Sequence, residues 1–318
     1  MAPVWILADD RMGNVNQLLG VAEALGLPYA RKDIRYTTWV RLPNFLRGRT
    51  LVGLDAASRK SIGAPFPDVV LSAGRRSYPV ARHIKAQSGG RTRIVQLMNP
   101  GRSGFREADL LVLPAHDIYR GNARRVLRVV GTPHRVTPAR IKTERKKWEP
   151  VFADYPRPRV SLIVGGATKN KPFTTAMARE LVLGVSALNP AAVLITTSRR
   201  TPPDVIAYLK EHAPQPHFLY QFGDAGENPY FGLLSCADKI VVTGDSMSMC
   251  SECCAAGVPV FIFAPPAMTG DKHRRFHADV YARGLAAPLG GEAVRPKKRL
   301  NPAVEIAAKI KQILQESS

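Results

Sequence analysis

The sequence predicts an α/β protein built from two doubly wound parallel sheets, one per domain, facing each other across a cleft. Three observations carry that expectation. Short apolar runs of strand length recur along the 318 residues, helical stretches separate them, and a polar, proline-bearing segment, RIKTERKKWEPVFADYPRPR at 140–159, divides them into two groups. A chain of this length also exceeds the size at which one hydrophobic core normally keeps growing.

The first group of runs is VWILA (4–8), DVVLSAG (68–74), RIVQLMN (93–99), LLVLPA (110–115) and VLRVVG (126–131). The second is VSLIVGG (160–166), AVLITTS (192–198), HFLYQF (217–222), KIVVTG (239–244) and VPVFIFA (258–264). Runs this apolar fit strands buried on both faces, as in a parallel sheet covered by helices. A basic first domain is therefore expected over 1–150 and a second domain over 151–318. The final segment, NPAVEIAAKIKQILQESS, spaces its apolar residues by three and four and predicts an amphipathic helix, which in one arrangement packs back on the first domain.

The charge is unevenly spread. Of 46 Lys+Arg and 25 Asp+Glu, residues 1–150 hold 27 and 11, which leaves +16 there and +5 in 151–318. An anionic partner for the first half follows, either a membrane surface or an acidic substrate. Nucleic acid is not expected, because the basic residues are scattered without an aromatic RNA-binding signature. Cys236, Cys250, Cys253 and Cys254 lie too close together to staple a secreted fold and point to a reducing compartment. Without matching histidines they predict no metal site. The start, MAPVWILADD, reaches two aspartates after a short apolar stretch, so neither a signal peptide nor a transmembrane segment is expected there. The location this implies is cytoplasmic, at most peripheral on the inner face of the cytoplasmic membrane. TTWVRLPNFLRGRTLVGL (37–54) interleaves Trp39, Leu42, Phe45 and Leu46 with Arg41, Arg47 and Arg49, which suits an interfacial segment on anionic lipid and equally suits core packing.

Parallel sheets of this kind bind ligands at the C-terminal ends of their strands. In ADKIVVTGDSMSMCSECCAAGVPVFIF (237–263), Gly244 permits a tight turn and Asp245 or Ser246 caps the next helix. Ser246, Met247 and Ser248 then offer amides and hydroxyls to a phosphate, and Glu252 stands one turn on to accept ribose hydroxyls. A capped helix with an early acid has the same pattern without any ligand. In SLIVGGATKNKPFTT, the residues Gly165, Gly166, Thr168, Lys169, Asn170 and Lys171 make an anion-friendly loop. Neither the GxxxxGKS/T phosphate loop nor GxGxxG occurs there, which disfavours ATP hydrolysis and NAD chemistry. TTSRRTPPD adds Ser198, Arg199 and Arg200 as forks for a diphosphate. In QFGDAGENPYFGLLSCAD, Asn228 and Tyr230 are candidates to frame a nucleobase, and in GDKHRRFHADVYARG, Lys272, His273 and His277 are candidates to meet a sugar or phosphate. In the first domain, LADDRMGNVNQLLGVAEAL puts Asp9, Asp10, Gly13, Asn14 and Asn16 on the loop before the first helix, where a carboxylate suits a general base.

Taken in order, these stretches resemble the B-type glycosyltransferase (GT-B) fold, and most of all the transferase that adds N-acetylglucosamine to the lipid-linked precursor of peptidoglycan. The shared stretches are GNVNQLLGVAEAL, VVLSAGRRSYPVARHIK, IVQLMNPG, VVGTPHR, LIVGGATKNK and the 237–263 run. SRRTP, ENPYFGLLSCADKIVVTGDSMSMCSECC and GDKHRRFH further resemble the bacterial relatives of the plant mitochondrial-fission factor named for elongated mitochondria. The resemblance implies a nucleotide-diphosphate sugar as donor substrate and no further cofactor. It implies that Glu252 binds ribose, that Ser246–Ser248 and Gly165–Gly166 hold the diphosphate, and that Lys272, His273 or His277 meets the sugar. Asn14 stands where the peptidoglycan enzyme has a histidine and cannot act as a base near neutral pH, which leaves Asp9 or Asp10 for that role. A metal-independent inverting transferase is the leading expectation. A non-catalytic membrane-associated adaptor and a sugar-nucleotide epimerase of the same fold are the alternatives.

Overall fold

The computed structural model describes residues 3–101, 105–121, 123–168 and 171–316. The chain forms two compact units, Met1–Arg135 with Pro302–Ser318, and Val136–Asn301. The first begins with β1 (Val4–Ala8), α1 (Met12–Leu25), β2 (Tyr29–Asp33), α2 (Asn44–Arg47) and α3 (Ala56–Ser61). It continues through β3 (Val69–Ala73), α4 (Gly74–Gln87), β4 (Arg93–Leu97), β5 (Leu110–Pro114) and β6 (Val126–Val129). The second holds α5 (Pro138–Trp148), β7 (Arg159–Ile163), α6 (Thr175–Ser186), β8 (Ala192–Thr196), α7 (Pro203–His212) and β9 (His217–Tyr220). Then follow α8 (Tyr230–Cys236), β10 (Lys239–Thr243), α9 (Met247–Cys254), β11 (Val260–Phe263), α10 (Asp271–Ala282) and β12 (Ala287–Pro288), before α11 (Pro302–Gln315) returns to the first unit.

Each sheet has six strands, in the orders β2-β1-β3-β4-β5-β6 and β12-β11-β10-β7-β8-β9, and every pairing is parallel. Strand addition reverses direction between β1 and β3 in the first sheet and between β7 and β10 in the second. Those two reversals are the switch points at which doubly wound sheets open a crevice beyond their strand ends.

The central strands β1, β3, β5, β7 and β8 are buried along their whole length, which is why they read as continuous apolar runs. Two strands were not legible as such. β2, YARKD, lies at a sheet edge with alternating exposed and half-buried residues, and β12 is a two-residue edge pairing. The segment expected to be a connection over 140–159 begins instead inside α5. Thr137 accepts the Arg140 amide at 3.1 Å and Pro138 stands in the first turn, so the helix starts cleanly. Trp148 at its end stacks on Phe152 with centroids 5.8 Å apart and lies so close over Gly232 of α8 that no Cβ fits there. That packing makes α5 part of the second unit, so the unit boundary falls at 135/136 rather than 150/151.

The first core is closed by the chain terminus. Ile306, Ala307, Ile310 and Ile313 of α11 join Leu18, Val21, Ala22 and Leu25 of α1 and the strand residues Val4, Ile6, Val69 and Leu71 in one buried cluster. Because Ile306 is fully buried, Ile306→Ala is expected to lower stability by about 2–5 kcal/mol. Urea unfolding checks this through the midpoint, and an unchanged midpoint would mean that α11 adds nothing to the core.

Candidate functional site

At the second switch point, one carboxylate ties three loops together. The Asp245 side chain has no exposed surface. Its Oδ2 accepts the Gly166 amide at 2.9 Å and Arg200 Nη2 at 2.7 Å, and its Oδ1 accepts the Thr243 hydroxyl at 2.7 Å. The Gly165 amide donates to Thr243 Oγ1 at 2.7 Å. Arg200 also donates through Nη1 to the Ala167 carbonyl at 3.1 Å, and the Thr201 hydroxyl donates to the Gly165 carbonyl. A Cβ on Gly165 would run into the Asp245 carboxylate, and one on Gly166 into the Arg200 carbonyl. The two glycines therefore serve close packing of the chain on itself. Their N–H groups, expected to hold a diphosphate, are already spent on Thr243 and Asp245.

What remains open at this mouth is the start of α9. Ser246 caps it by accepting the Met249 amide at 3.4 Å, which leaves the first-turn N–H groups of Met247 and Ser248 without an intrahelical partner. Ser246, Met247 and Ser248 are half-buried at the edge of the sheet. His273, in the first turn of α10, sits against the Asp245 backbone, and burial holds its ring below the usual histidine range. Lys272 beside it is exposed, as is Arg199. Ser198 shapes its own turn, with its hydroxyl accepting the Arg200 amide at 3.2 Å. Thr168 pairs with Lys171 across their loop at 2.9 and 3.3 Å, while Lys169 and Asn170 lie outside the described residues.

One turn into α9, Glu252 accepts the Tyr230 hydroxyl. Burial pushes the Glu252 carboxyl up to about 7, partly offset by the Tyr230 hydrogen bond and by Arg140. Burial and the Glu252 charge together raise Tyr230 well above its ordinary value, so the tyrosine keeps its proton as donor. Asn228 accepts the Tyr230 amide at 3.0 Å and fixes the start of α8. Tyr230 and Asn228 are thus joined to Glu252 through hydrogen bonds rather than standing apart as a base platform. His277 is buried, and its ring fills the space beside Gly244.

In the first unit the switch point carries a second Arg–Asp group. Arg76, from the first turn of α4, pairs with Asp9 at 2.8 Å and with Asp10, and its guanidinium lies 4.6 Å from the centre of the Tyr36 ring. The other Asp9 oxygen accepts the Arg11 amide at 3.0 Å. The hydrogen bond from Arg76 holds the Asp10 carboxyl below the usual range. Arg76 thus engages both carboxylates expected as bases, and a carboxylate held by a guanidinium is a poor proton acceptor. Gly13, Asn14 and Asn16, expected on the preceding loop, lie within α1, which begins at Met12 with no side-chain cap.

The 37–54 segment divides cleanly. Trp39, Phe45 and Leu46 are 61%, 69% and 62% exposed, and Arg41 is exposed beside them. Arg49 reaches Glu107 at 2.9 Å. Arg47, expected among the surface cations, is only 1% exposed: it donates to the carbonyls of Val52 and Arg76, both at 3.2 Å, and pins the segment to α4. Among the described residues no helix is long and apolar enough to cross a membrane. The four cysteines are buried and unpaired.

Sequence reading missed Arg76, Thr243 and Arg200–Asp245 as anchors. The signal available was positional: Thr243 ends β10, and Arg76, Arg200 and Asp245 each lie shortly after a buried strand end.

Comparison with known proteins adds family and fold. The sequence pattern described as mitochondrial fission ELM1 matches residues 12–314. An uncharacterized protein of Rickettsia prowazekii is 26% identical over 97% of both chains. The mitochondrial fission protein ELM1 of Arabidopsis thaliana is 28% identical over 66% of this chain, which spans 54% of the plant protein. The UDP-GlcNAc 2-epimerase of Neisseria meningitidis, solved with UDP-GlcNAc bound, superposes with a TM-score of 0.55 at 12% identity, covering 98% of this chain and 99% of its own. At that identity the likeness is one of fold.

Two outcomes follow from the geometry. Arg200→Ala leaves the buried Asp245 carboxylate without its cation and is expected to cost about 3 kcal/mol in urea unfolding; a change of a few tenths would refute the anchor role. Burial lifts the Glu252 carboxyl from the ordinary glutamate value of 4.5 to about 7 in the folded chain. Its neutral form is therefore favoured by folding, and the stability it contributes is complete below pH 4.5 and is lost as pH rises through about 7. Glu252→Gln removes that loss, so the difference in thermal midpoint between Gln variant and wild type widens from pH 4.5 to 7. Parallel curves would contradict the assignment.

Proposed function

The chain belongs to the mitochondrial fission ELM1 family, and from the mouth of its second unit we propose that it binds a nucleotide-diphosphate sugar. In this reading it transfers the sugar, with inversion and without a metal ion, to a hydroxyl of a lipid-linked or envelope acceptor. The observation that carries the reading is the start of α9 at the switch point. Two amides there, at Met247 and Ser248, have no intrahelical partner, and Glu252 follows within the same short helix. A diphosphate on those amides leaves the ribose hydroxyls to Glu252, which accepts them in its ionised form. Arg199 and Lys272 supply exposed positive charge, so the departing diphosphate is stabilised by helix amides and cations in place of a divalent ion. The Neisseria enzyme of the same fold holds UDP-GlcNAc, and that ligand class is the natural first probe.

On the acceptor side the reading gives Asp9 and Asp10 the task of orienting a hydroxyl group by accepting its hydrogen bond, because Arg76 pairs with both; as the bond to the sugar forms and the sugar–phosphate bond breaks, the hydroxyl proton leaves on the departing diphosphate. The exposed Trp39, Phe45 and Leu46 beside Arg41 supply apolar anchors and charge for docking on anionic lipid, where such an acceptor resides. A second reading, a non-catalytic adaptor of the same fold, draws on one specific observation. The glycine amides at the switch point are satisfied from within, so the mouth stands built without a ligand.

Thermal unfolding with UDP and UDP-GlcNAc separates the two. Saturation at 100 times the dissociation constant adds about 2.7 kcal/mol, and Glu252→Ala is expected to abolish the shift. No shift with any nucleoside diphosphate favours the adaptor, and turnover of the donor without an acceptor favours an epimerase. In a separate measurement, replacing Trp39, Phe45 and Leu46 together by Ala is expected to cut co-sedimentation with anionic vesicles severalfold, and unchanged sedimentation would remove the membrane from the proposal.

A further inference from the structure

A groove of about 890 Å³ opens on the second unit beside Ala237, Asp238, Val258 and Pro259. Those residues directly precede β10 and β11, and the sheet is parallel. The groove therefore lies at the N-terminal edge of the sheet, opposite the edge that carries Asp245 and the start of α9. Its cations are Lys142, Arg145, Lys146, Arg157, Arg295 and Arg299, and its carboxylates are Glu149 and Asp238.

The charges do not balance. Arg157 takes up both carboxylates, reaching Glu149 at 3.1 Å and Asp238, and Arg159 adds a further bond to Glu149 at 2.6 Å. Arg145 donates through Nε to the Ser235 carbonyl at 2.6 Å. Among the described residues no carboxylate pairs with Lys142, Arg145, Lys146, Arg295 or Arg299. Charges of one sign lining a concave wall focus their field into it and draw counter-ions there.

We propose that this groove is a binding site for a compact polyanion carrying two or more phosphate groups. Its volume lies within the range of about 300–1,000 Å³ typical of small-molecule sites. Guanidinium forks from Arg145, Arg295 and Arg299 match phosphate oxygens in pairs, and the lysines add point charges. A single phosphate leaves most of the five cations uncompensated, whereas a di- or triphosphate meets several. No aromatic ring is among the lining residues, so there is no platform on which nucleobases stack, and single-stranded nucleic acid is a poor fit. The site is independent of the nucleotide reading above, because it shares no residue with the mouth at α9.

The probe is inorganic tripolyphosphate, titrated calorimetrically into the full chain at about 0.15 M salt. The side chains of Lys146 and Arg295 are exposed and make no hydrogen bond or ion pair among the described residues. The double variant Lys146→Glu/Arg295→Glu is therefore expected to keep its fold, checked by an unchanged thermal midpoint, while losing at least about tenfold in affinity. A parallel arm sediments the same two proteins with phosphatidylcholine vesicles, with and without a phosphatidylinositol bisphosphate. Vesicle binding that falls in the variant identifies a lipid headgroup as the source of the phosphates, and tripolyphosphate binding alone identifies a soluble polyphosphate. Absence of binding in both arms overturns the proposal. So does binding that the double variant leaves unchanged, which would put the anion elsewhere on the chain.

Discussion

A carboxylate removed from water must be met by charge and hydrogen bonds or it is not retained as an ion. Asp245 meets that condition with donors drawn from three chain segments: the Gly166 amide after β7, Arg200 after β8, and Thr243 at the end of β10. The second unit's ligand edge is organised around that requirement. Because the carboxylate fills the volume next to Gly165, and the Arg200 carbonyl fills that next to Gly166, no larger residue fits at either place. The loops following three strands are fixed as one body. The orientation of α9, and hence the outward aim of its first amides, follows from a charge that never touches solvent.

The first unit uses the same chemistry with the signs rearranged. There the cation is central: Arg76 leaves the start of α4 and reaches Asp9 and Asp10 beyond the end of β1. Asp9 is enclosed but Asp10 stands largely in water, so the Asp10 half of the pair is screened by salt in a way the Asp245 pair is not.

The sheets were legible because ten strands are written as apolar runs, most of them buried, with only the edge strands β6 and β9 left partly exposed. β2 was not, since an edge strand with one accessible face tolerates Tyr29, Arg31 and Asp33, and charge hides the period. α5 was read as a connection for the same reason in reverse: its sequence is polar around most of its circumference, and only Ile141 and Trp148 are buried. At the site, the stretches were found but the jobs within them were not. Gly165 and Gly166 read as a phosphate cradle when their smallness serves the Asp245 carboxylate; of Asp245 and Ser246, either of which could cap α9, Ser246 has that place and Asp245 turns inward. Sequence shows which residues follow a strand; which of them turn inward depends on contacts from loops distant in the chain, here Arg200 and Thr243. Arg47 makes the same point, since nothing local distinguishes it from Arg41 and Arg49, yet it is the one enclosed by Val52 and Arg76.

α9 joins the two edges of the second sheet. Eight residues are too few to be stable as an isolated helix, so it persists because it is held along its length and at its far end. Cys250, Cys253 and Cys254 are fully buried along its inner side, where burial raises their thiols and leaves them as small apolar contacts. Beyond its C-terminus the Leu300 amide donates to the Cys254 carbonyl at 3.4 Å, and Arg299 lies against Gly257. The C-terminal carbonyls of a helix carry roughly half a negative charge, which accounts for some positive charge nearby. It does not account for five cations without carboxylate partners among the described residues, since half a charge falls far short of neutralising them. The excess belongs to the groove and not to the helix end, and it is there that an external anion has the most to contribute.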